Sequence, residues 1–599
     1  MADFSLSAFS EWTSHDPFGA VKAGDGEAAA LAEPVALRAA RGGYASVRVL
    51  VRGEGEYRLA ASAGGGLEVD LYRVWYHRMH CEEGASPEYF ADALVPVRRS
   101  GSYRLPDPDN QIPGQKVQEF WMDVFVPPDT KPGKKRAGVR LAASPCFSSS
   151  ARYELTAGGA KVALALRVEV LDALVPEEPC VVMDLNSYGS RSMPGKFPKT
   201  FGRATGDKLA DRTIGMLHNY YRVNHEHRTV LHNLGYGHSG RIDAIYAPEM
   251  VGSGRDKRLK GFDLFDRHYG PLLDGSAFAT ASPGAPPPRR KASPIWGVYT
   301  PINPDWPADY VNWGERGYET EFVNCVRELD GHLREKGWTQ SRIEFFFNHK
   351  KRYRWYEWDG DEQKYAKDNA CHAEMIRMWE AATADSPVNW VYRADASWQM
   401  KLQFEELGGH RNFWVCGGFI KWYPDEVREV LARGETVWWY GGFPSIRITT
   451  SAVLQILWKT WARSLHGFCH WSGISPGKDP WFDSGGCATG VIYPGERFGI
   501  KGPIPSIRLK VMRNGIQDVD LLDAAARRSG KLDQVREDLI REIPIELWEK
   551  PPKAAVELPP EDWDSKNLAA EHEPIMEADK RLSPQWWSKV RERALSAEV

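Results

Sequence analysis

The chain has 599 residues, 77 basic against 80 acidic, and a net charge of −3. That length exceeds one ordinary core, so two or three domains are expected. The balanced charge suggests no nucleic-acid or anionic-membrane partner, and no apolar run reaches the roughly 18 residues of a membrane span.

Residues 1–176 read as all-β. Runs such as Tyr44–Val51, Leu67–Trp75, Glu119–Val126 and Val162–Val170 alternate or are β-branched. Gly and Pro clusters such as Pro127–Gly133 separate them, which is the pattern of a β-sandwich. Pro176–Pro179 reads as a linker.

From residue 177 to 478 the rhythm changes. Strand-like runs are Val181–Asn186, Thr229–Leu234, Ile295–Thr300, Ile343–Asn348, Val388–Arg393, Phe413–Cys416, Val437–Tyr440 and Gly467–Trp471. Helical patterns include Glu319–Lys336, Lys364–Thr383 and Ser451–Ser464. Eight strand–helix units predict a (β/α)₈ TIM barrel; an open doubly wound sheet is the alternative, but no GxGxxG follows a first strand. The Pro-rich, basic Ala281–Pro294 reads as a surface loop with no partner implied. Residues 479–599 read as short β runs, among them Gly490–Pro494 and Ile504–Val511, followed by a charged helical tail packed on the barrel.

Twenty-four tryptophans are unusual. Core and interface packing accounts for many, yet the set also suits a sugar-lined cleft. Eight scattered cysteines with no CxxC pair argue against a zinc knuckle or a disulfide scaffold. The N-terminus lacks the basic and apolar regions of a signal peptide, which points to a cytoplasmic location.

In a barrel, catalytic groups come from the C-terminal ends of strands. That rule selects Asp184 and Asn186, Asn233, Asn303 and Asp305, then Asn348, Asp359, Asp361 and Glu362, and Asp395. The seventh run ends in Tyr440–Gly441–Gly442 with no carboxylate; its one acid, Glu435, lies at the opposite end. A retaining glycosidase with a protein nucleophile needs a second carboxylate ~5 Å from the acid. Neighbouring acids suit another scheme, in which one protonates the leaving oxygen and the other steadies a substrate group that attacks C1. Their mutual repulsion raises one pKa. The competing explanation for Asp361–Glu362 is a helix first turn, where acids are favoured.

The histidines His225, His227, His232 and His238 crowd the second run without a zinc-ligand spacing, so hydrogen-bonding or substrate contact is expected rather than a metal. Candidate substrate-binding groups are Asn348, Lys350, Asp395, Trp358, Trp439, Tyr440, Trp471, Trp481 and His227. Trp438 and Trp439 fit a stacking wall or core packing equally well. No metal or organic cofactor is expected, and the oligomeric state is open.

The motifs WWYGGFPS (438–445), HGFCHWSG (466–473), DPWFD (479–483), GVIYPG (490–495) and GPIPSIRLKVMRNGIQDVDLL (502–522) resemble a glycoside hydrolase family 123-like group. That group includes the "domain of unknown function 4091" barrels. FDLFDRHYGPLLDG (262–275), YRADAS (392–397), YFADALVP (89–96) and WMDVFVPPDTKPG (121–133) add to the resemblance. It implies an N-terminal β-sandwich, a (β/α)₈ barrel, a β-rich C-terminal part, and a carbohydrate substrate, an oligo- or polysaccharide. It also implies substrate-assisted cleavage of a β-linked 2-acetamido sugar. Asp361 would then orient the acetamido group and Glu362 act as acid/base. Gln363 stands where the family has proline, and Asn348–His349 is the rival position for the pair. An inverting hydrolase using Asp395 or Asp305 as base, and a non-catalytic carbohydrate-binding protein, are the alternatives.

Overall fold

A computed structural model describes residues 4–26, 29–79, 86–97, 102–143, 161–187, 193–202, 208–233, 246–252, 258–300, 318–347, 350, 358–398, 400–474, 479–482, 489–542, 547–553 and 583–596. Ten strands occupy the N-terminal part: β1 (Ser5–Ser10), β2 (Val35–Arg41), β3 (Gly43–Arg52), β4 (Gly55–Ala63), β5 (Glu68–Met79), β6 (Glu88–Pro96), β7 (Ser102–Leu105), β8 (Val117–Val126), β9 (Gly133–Ala143) and β10 (Lys161–Leu174). They form two five-stranded sheets, ordered β1-β3-β8-β5-β6 and β2-β10-β9-β4-β7. Alternate residues of both, such as Val47, Val49, Phe120 and Met122 from one and Leu59, Val139, Leu164 and Val168 from the other, bury one shared apolar cluster. Of the four runs singled out in the sequence three lie wholly within strands, and Leu67–Trp75 does so from Glu68 onward.

The second part is a seven-stranded parallel sheet. Its strands are β11 (Val182–Leu185), β14 (Gly297–Tyr299), β15 (Arg342–Phe345), β16 (Trp390–Ala396), β17 (Asn412–Cys416), β18 (Thr436–Gly441) and β19 (Gly467–His470). Two short strands, β12 (Met250–Val251) and β13 (Arg258–Leu259), pair apart from it. The order β11-β19-β18-β17-β16-β15-β14 makes a parallel half-barrel. The expected second strand appears as bridges, Asp184 with Val230 and Ser187 with Asn233, on the free side of β11.

Helices fill the crossovers: α1 (Met193–Lys196), α2 (Pro198–Phe201), α3 (Lys208–Glu226), α4 (Asp263–Leu273), α5 (Tyr318–Glu335), α6 (Ala366–Thr383), α7 (Met400–Leu407), α8 (Pro424–Ala432) and α9 (Val453–Ala462). Strand alternation sorts the sheet's side chains. Met183, Tyr392, Trp414, Trp439 and Phe468 join the large outer core, while Val391, Phe413, Val415, Trp438, Tyr440 and Cys469 form a separate inner cluster.

After the parallel sheet come β20 (Ile492–Pro494), β21 (Pro503–Pro505), α10 (Ile507–Arg528), α11 (Leu532–Glu542) and α12 (Pro584–Ser596). Ile504–Val511 is therefore not a strand beyond Pro505. Ser506 caps α10, its hydroxyl accepting from Leu509 N at 3.1 Å. The Pro-rich loop is likewise more than surface. Arg289 is nearly buried, pairs with Glu68 and Asp70 of β5, and lies over the Phe125 ring. It ties the crossovers to the N-terminal sheets. Among the described residues no helix is long and apolar enough to cross a membrane.

Candidate active site

The loop after β15 carries Asp361 and Glu362, and its anchoring explains their position. Helix α6 starts only at Ala366. Asp368, in its first turn, accepts main-chain N–H bonds from Asp359, Lys364 and Tyr365 at 2.9–3.2 Å. The helix start is thus served without Asp361 or Glu362, which removes the first-turn explanation for the pair. Gln363 is buried and its amide meets His372 Nε2 at 2.7 Å; His372 Nδ1 in turn meets Tyr392 Oη at 2.7 Å. Gln363 thus supplies an anchor that proline has no group to make. Burial pushes the His372 imidazole down to about 3, so it serves as a neutral bracket. Glu362 itself has φ +57°, a left-handed conformation that costs a non-glycine residue ~1 kcal/mol or more.

The turn directs both acids to one lysine. Lys350 is buried, pairs with Glu362 Oε2, and stands 3.4 Å from Asp361 Oδ2. Tyr440 Oη donates to Glu362 Oε1 at 3.3 Å and is 2.9 Å from Ser397 Oγ. The Glu362 side chain is 17% exposed, that of Asp361 8%. Burial is the main reason the Asp361 carboxyl is raised well above the usual carboxylate range. Lys350 opposes the shift, while Glu362 and a hydrogen bond to Asp395 reinforce it. The Asp361 carboxyl thus holds its proton more tightly than an ordinary aspartate, although Glu362 is the group expected to be the acid.

Below the pair lies an ionic array on the inward positions of the sheet. Arg393 Nε and Nη2 donate to Asp395 at 2.7 and 3.2 Å, and Nη1 to Glu344 at 3.1 Å. His232 Nε2 is 3.0 Å from Glu344 and its Nδ1 is 3.5 Å from Asp184. Burial alone would lower the His232 imidazole, but Glu344 and Asp184 outweigh it and push it up to about 9. Asp184 shifts upward despite the same contact, because burial dominates there. His232 thus binds its nearer partner, Glu344, and joins the strand beside β11 to β15.

The other sequence candidates divide. Asp395, Lys350 and Tyr440 meet the pair directly. Trp471, 38% exposed, follows β19 beside Gly441, whose carbonyl accepts its N–H at 3.3 Å. Trp439 does not line the opening: it points outward, and its Nε1 donates to Thr460 of α9 at 2.8 Å. Trp358 is also core, edge-on to His372. Trp481 packs edge-on to Trp75 of β5, away from the pair. His227 follows α3, before its strand, and so lies at the opposite end of the sheet; its Nδ1 meets Val223 O at 2.6 Å. Asn348, along with Asn303, Asp305 and His238, lies outside the described residues. Glu435 sits at the N-terminal end as expected, bound to Asn412, Trp414 and Arg433.

Sequence reading missed Arg393, Glu344 and Ser397. The signal was present: charges at alternate positions within apolar runs, as in WVYRADA and IEFFF, mark an inward-facing polar row.

Residues 308–525 match the family model "Glycoside hydrolase 123, catalytic domain". No curated protein matches the chain significantly. Among solved structures, a family 123 glycoside hydrolase from Clostridium perfringens, described in relation to glycolipid glycan hydrolysis, aligns over 100% of this chain and 99% of its own. The TM-score is 0.63 at 12% identity, so the likeness is one of fold. The Clostridium thermocellum xylanase 10B CBM22-1–GH10 modules align over 85% of this chain and 93% of theirs. Their TM-score is 0.30 at 8% identity. Residues 308–525 thus match a glycoside hydrolase 123 catalytic domain, and the chain as a whole shares its fold with a family 123 glycoside hydrolase.

Proposed function

We propose that this hydrolase cleaves a β-linked 2-acetamido sugar with retention and without a protein nucleophile, on a closed (β/α)₈ barrel preceded by a β-sandwich. The observation that carries the reading is the Asp361–Glu362 pair held on Lys350, with Tyr440 as the only described group of the seventh strand that reaches it. In the proposed cycle the acetamido oxygen attacks C1 and the C1–leaving-group bond breaks. Glu362 protonates the departing oxygen, then takes a proton from the water that opens the oxazolinium ring. Asp361 orients the acetamido N–H and steadies the positive charge that develops on the ring.

The raised Asp361 carboxyl favours a second reading in which the roles exchange and Asp361 is the acid. Leaving-group chemistry separates the two. An aryl glycoside with a strongly acidic phenol needs no proton donor, so losing the acid is forgiven and losing the stabiliser is not. With Glu362 as acid, Glu362→Gln loses about 10²–10⁴-fold in kcat on an alkyl glycoside and far less on a dinitrophenyl glycoside. Asp361→Asn then loses comparably on both. The reverse pattern assigns the acid to Asp361, and full activity in both variants removes the pair from the chemistry.

A further inference from the structure

A second opening lies at the same end of the parallel sheet. Residues 193–199 follow β11 and residues 479–482 and 494–498 follow β19, so both groups belong to the C-terminal ends of neighbouring strands. Together with β5, β6 and β7 of the N-terminal sheets they enclose a cavity of about 920 Å³. That volume lies in the upper range of small-molecule sites, about 300–1,000 Å³.

The lining is aromatic and charged, and its charges are satisfied unequally. Tyr103, Trp481 and Phe498 supply rings. Each carboxylate is already engaged. Glu496 accepts from Lys199 N, Thr200 N and Thr200 Oγ1. Asp479 accepts from the N–H groups of Trp481 and Phe482. Asp109 pairs with Arg73 at 3.5 Å. Among the described residues three lining cations, Lys196, Lys199 and Arg497, pair with no carboxylate. The Lys196 ammonium, largely buried, donates to Ile474 O at 2.7 Å. Arg497 donates to Asp109 O at 3.3 Å and lies over the rings of Trp75 and Phe482. Burial pushes the Lys196 ammonium down to about 8, the cost of holding a cation with one neutral acceptor.

We infer that this cavity is a subsite for an acidic sugar, a carboxylate- or sulfate-bearing residue of the glycan held by Lys196 and Arg497 with its ring against Trp481. An anion there replaces the missing counter-charge, and charge-assisted hydrogen bonds make the contact selective for acidic over neutral glycans. The inference takes from the hydrolase reading only that the ligand is a glycan; it does not depend on how Asp361 and Glu362 divide their roles.

Calorimetry in the Glu362→Gln background tests it with three tetrasaccharides: sulfated chondroitin, unsulfated chondroitin carrying carboxylates alone, and neutral chitotetraose. At least one acidic probe is expected to bind about tenfold or more tighter than the neutral one. Lys196→Met and Arg497→Gln should each remove about tenfold of that preference while leaving chitotetraose affinity unchanged. The sulfated and unsulfated arms tell which anion is read. Equal affinity for acidic and neutral probes overturns the subsite, as does no binding of any acidic probe, or a preference that survives Lys196→Met. Turnover of a small neutral aryl glycoside by Lys196→Met in an otherwise wild-type chain reports the intact fold. Hydrolysis persisting in Glu362→Gln shows as product and counts against the acid assignment alone, separately from the affinities.

Discussion

Two buried charge clusters in this molecule are built from the same residue types and behave oppositely. At the junction of the N-terminal sheets with α10, Asp123 meets Arg513 at 2.8 Å and Lys510 at 2.5 Å, and Ser46 at 2.7 Å. Burial would raise Asp123, but Arg513 and Lys510 outweigh it and hold the carboxylate well below its usual range. Lys510 does not gain in return: burial takes it down to about 8, so Arg513 is the partner that holds Asp123. At the candidate site, Asp361 has one cation, shared with Glu362, and a second carboxylate at its back, and it shifts upward. A buried acid saturated with cations is a fastener. A buried acid short of them, beside an opening, is poised to exchange a proton.

Replacing one acid from each cluster breaks or sharpens that contrast most. Asp123→Ala leaves Lys510 and Arg513 buried without their partner and should cost about 3–5 kcal/mol in denaturant unfolding, with kcat of the folded enzyme unchanged. Asp361→Asn should lower kcat by about 100-fold or more while stabilising the fold at neutral pH. The sign follows from the raised carboxyl: the folded state holds that proton more tightly, so stability falls as pH rises above the ordinary aspartate range. Asparagine removes the loss. A destabilised Asp361→Asn, or an inactive but stable Asp123→Ala, would contradict the division.

The array beneath the pair gives a smaller, pH-dependent effect. His232 titrates at about 9 in the fold against an ordinary 6.5. Its contribution is complete below pH ~6.5 and is lost as pH rises through about 9, on the order of a few kcal/mol. Unfolding at pH 6.5 and 9.5 should show that loss in wild type and a flatter profile in His232→Gln; parallel profiles would show that the imidazole is not charged.

The tryptophans give the smallest effect. Trp471→Ala should raise KM about three- to tenfold with little change in unfolding, the scale of one aromatic contact. Trp439→Phe should leave KM alone and lower stability, because its indole is tied to Thr460. Equal KM changes in both would mean that the indoles act as one wall after all.

Much of this architecture was legible in the residues. Apolar runs located seven of the eight parallel strand positions as strands, and the strand-end rule brought Asp361, Glu362, Asp395 and Tyr440 to one end. Three features were not legible. Trp438 and Trp439 are adjacent, so a strand sends them to opposite faces, and composition alone does not say which face is open. The β-branched Ile504–Val511 favoured a strand, yet the Ser506 cap and the ion pairs of Arg508 with Asp92 and of Arg513 with Asp123 make the segment from Ile507 onward helix. The left-handed turn at Glu362 has no sequence mark, since glutamate is a poor choice for it.

The strap at Arg289 and the fastener at Asp123 have a consequence for biosynthesis. The first ten strands emerge from the ribosome long before Arg289, and Lys510 and Arg513 follow Asp123 by 387 and 390 positions. Nascent chains must therefore carry an exposed, half-finished docking face through most of translation, the stage at which chaperone engagement matters most.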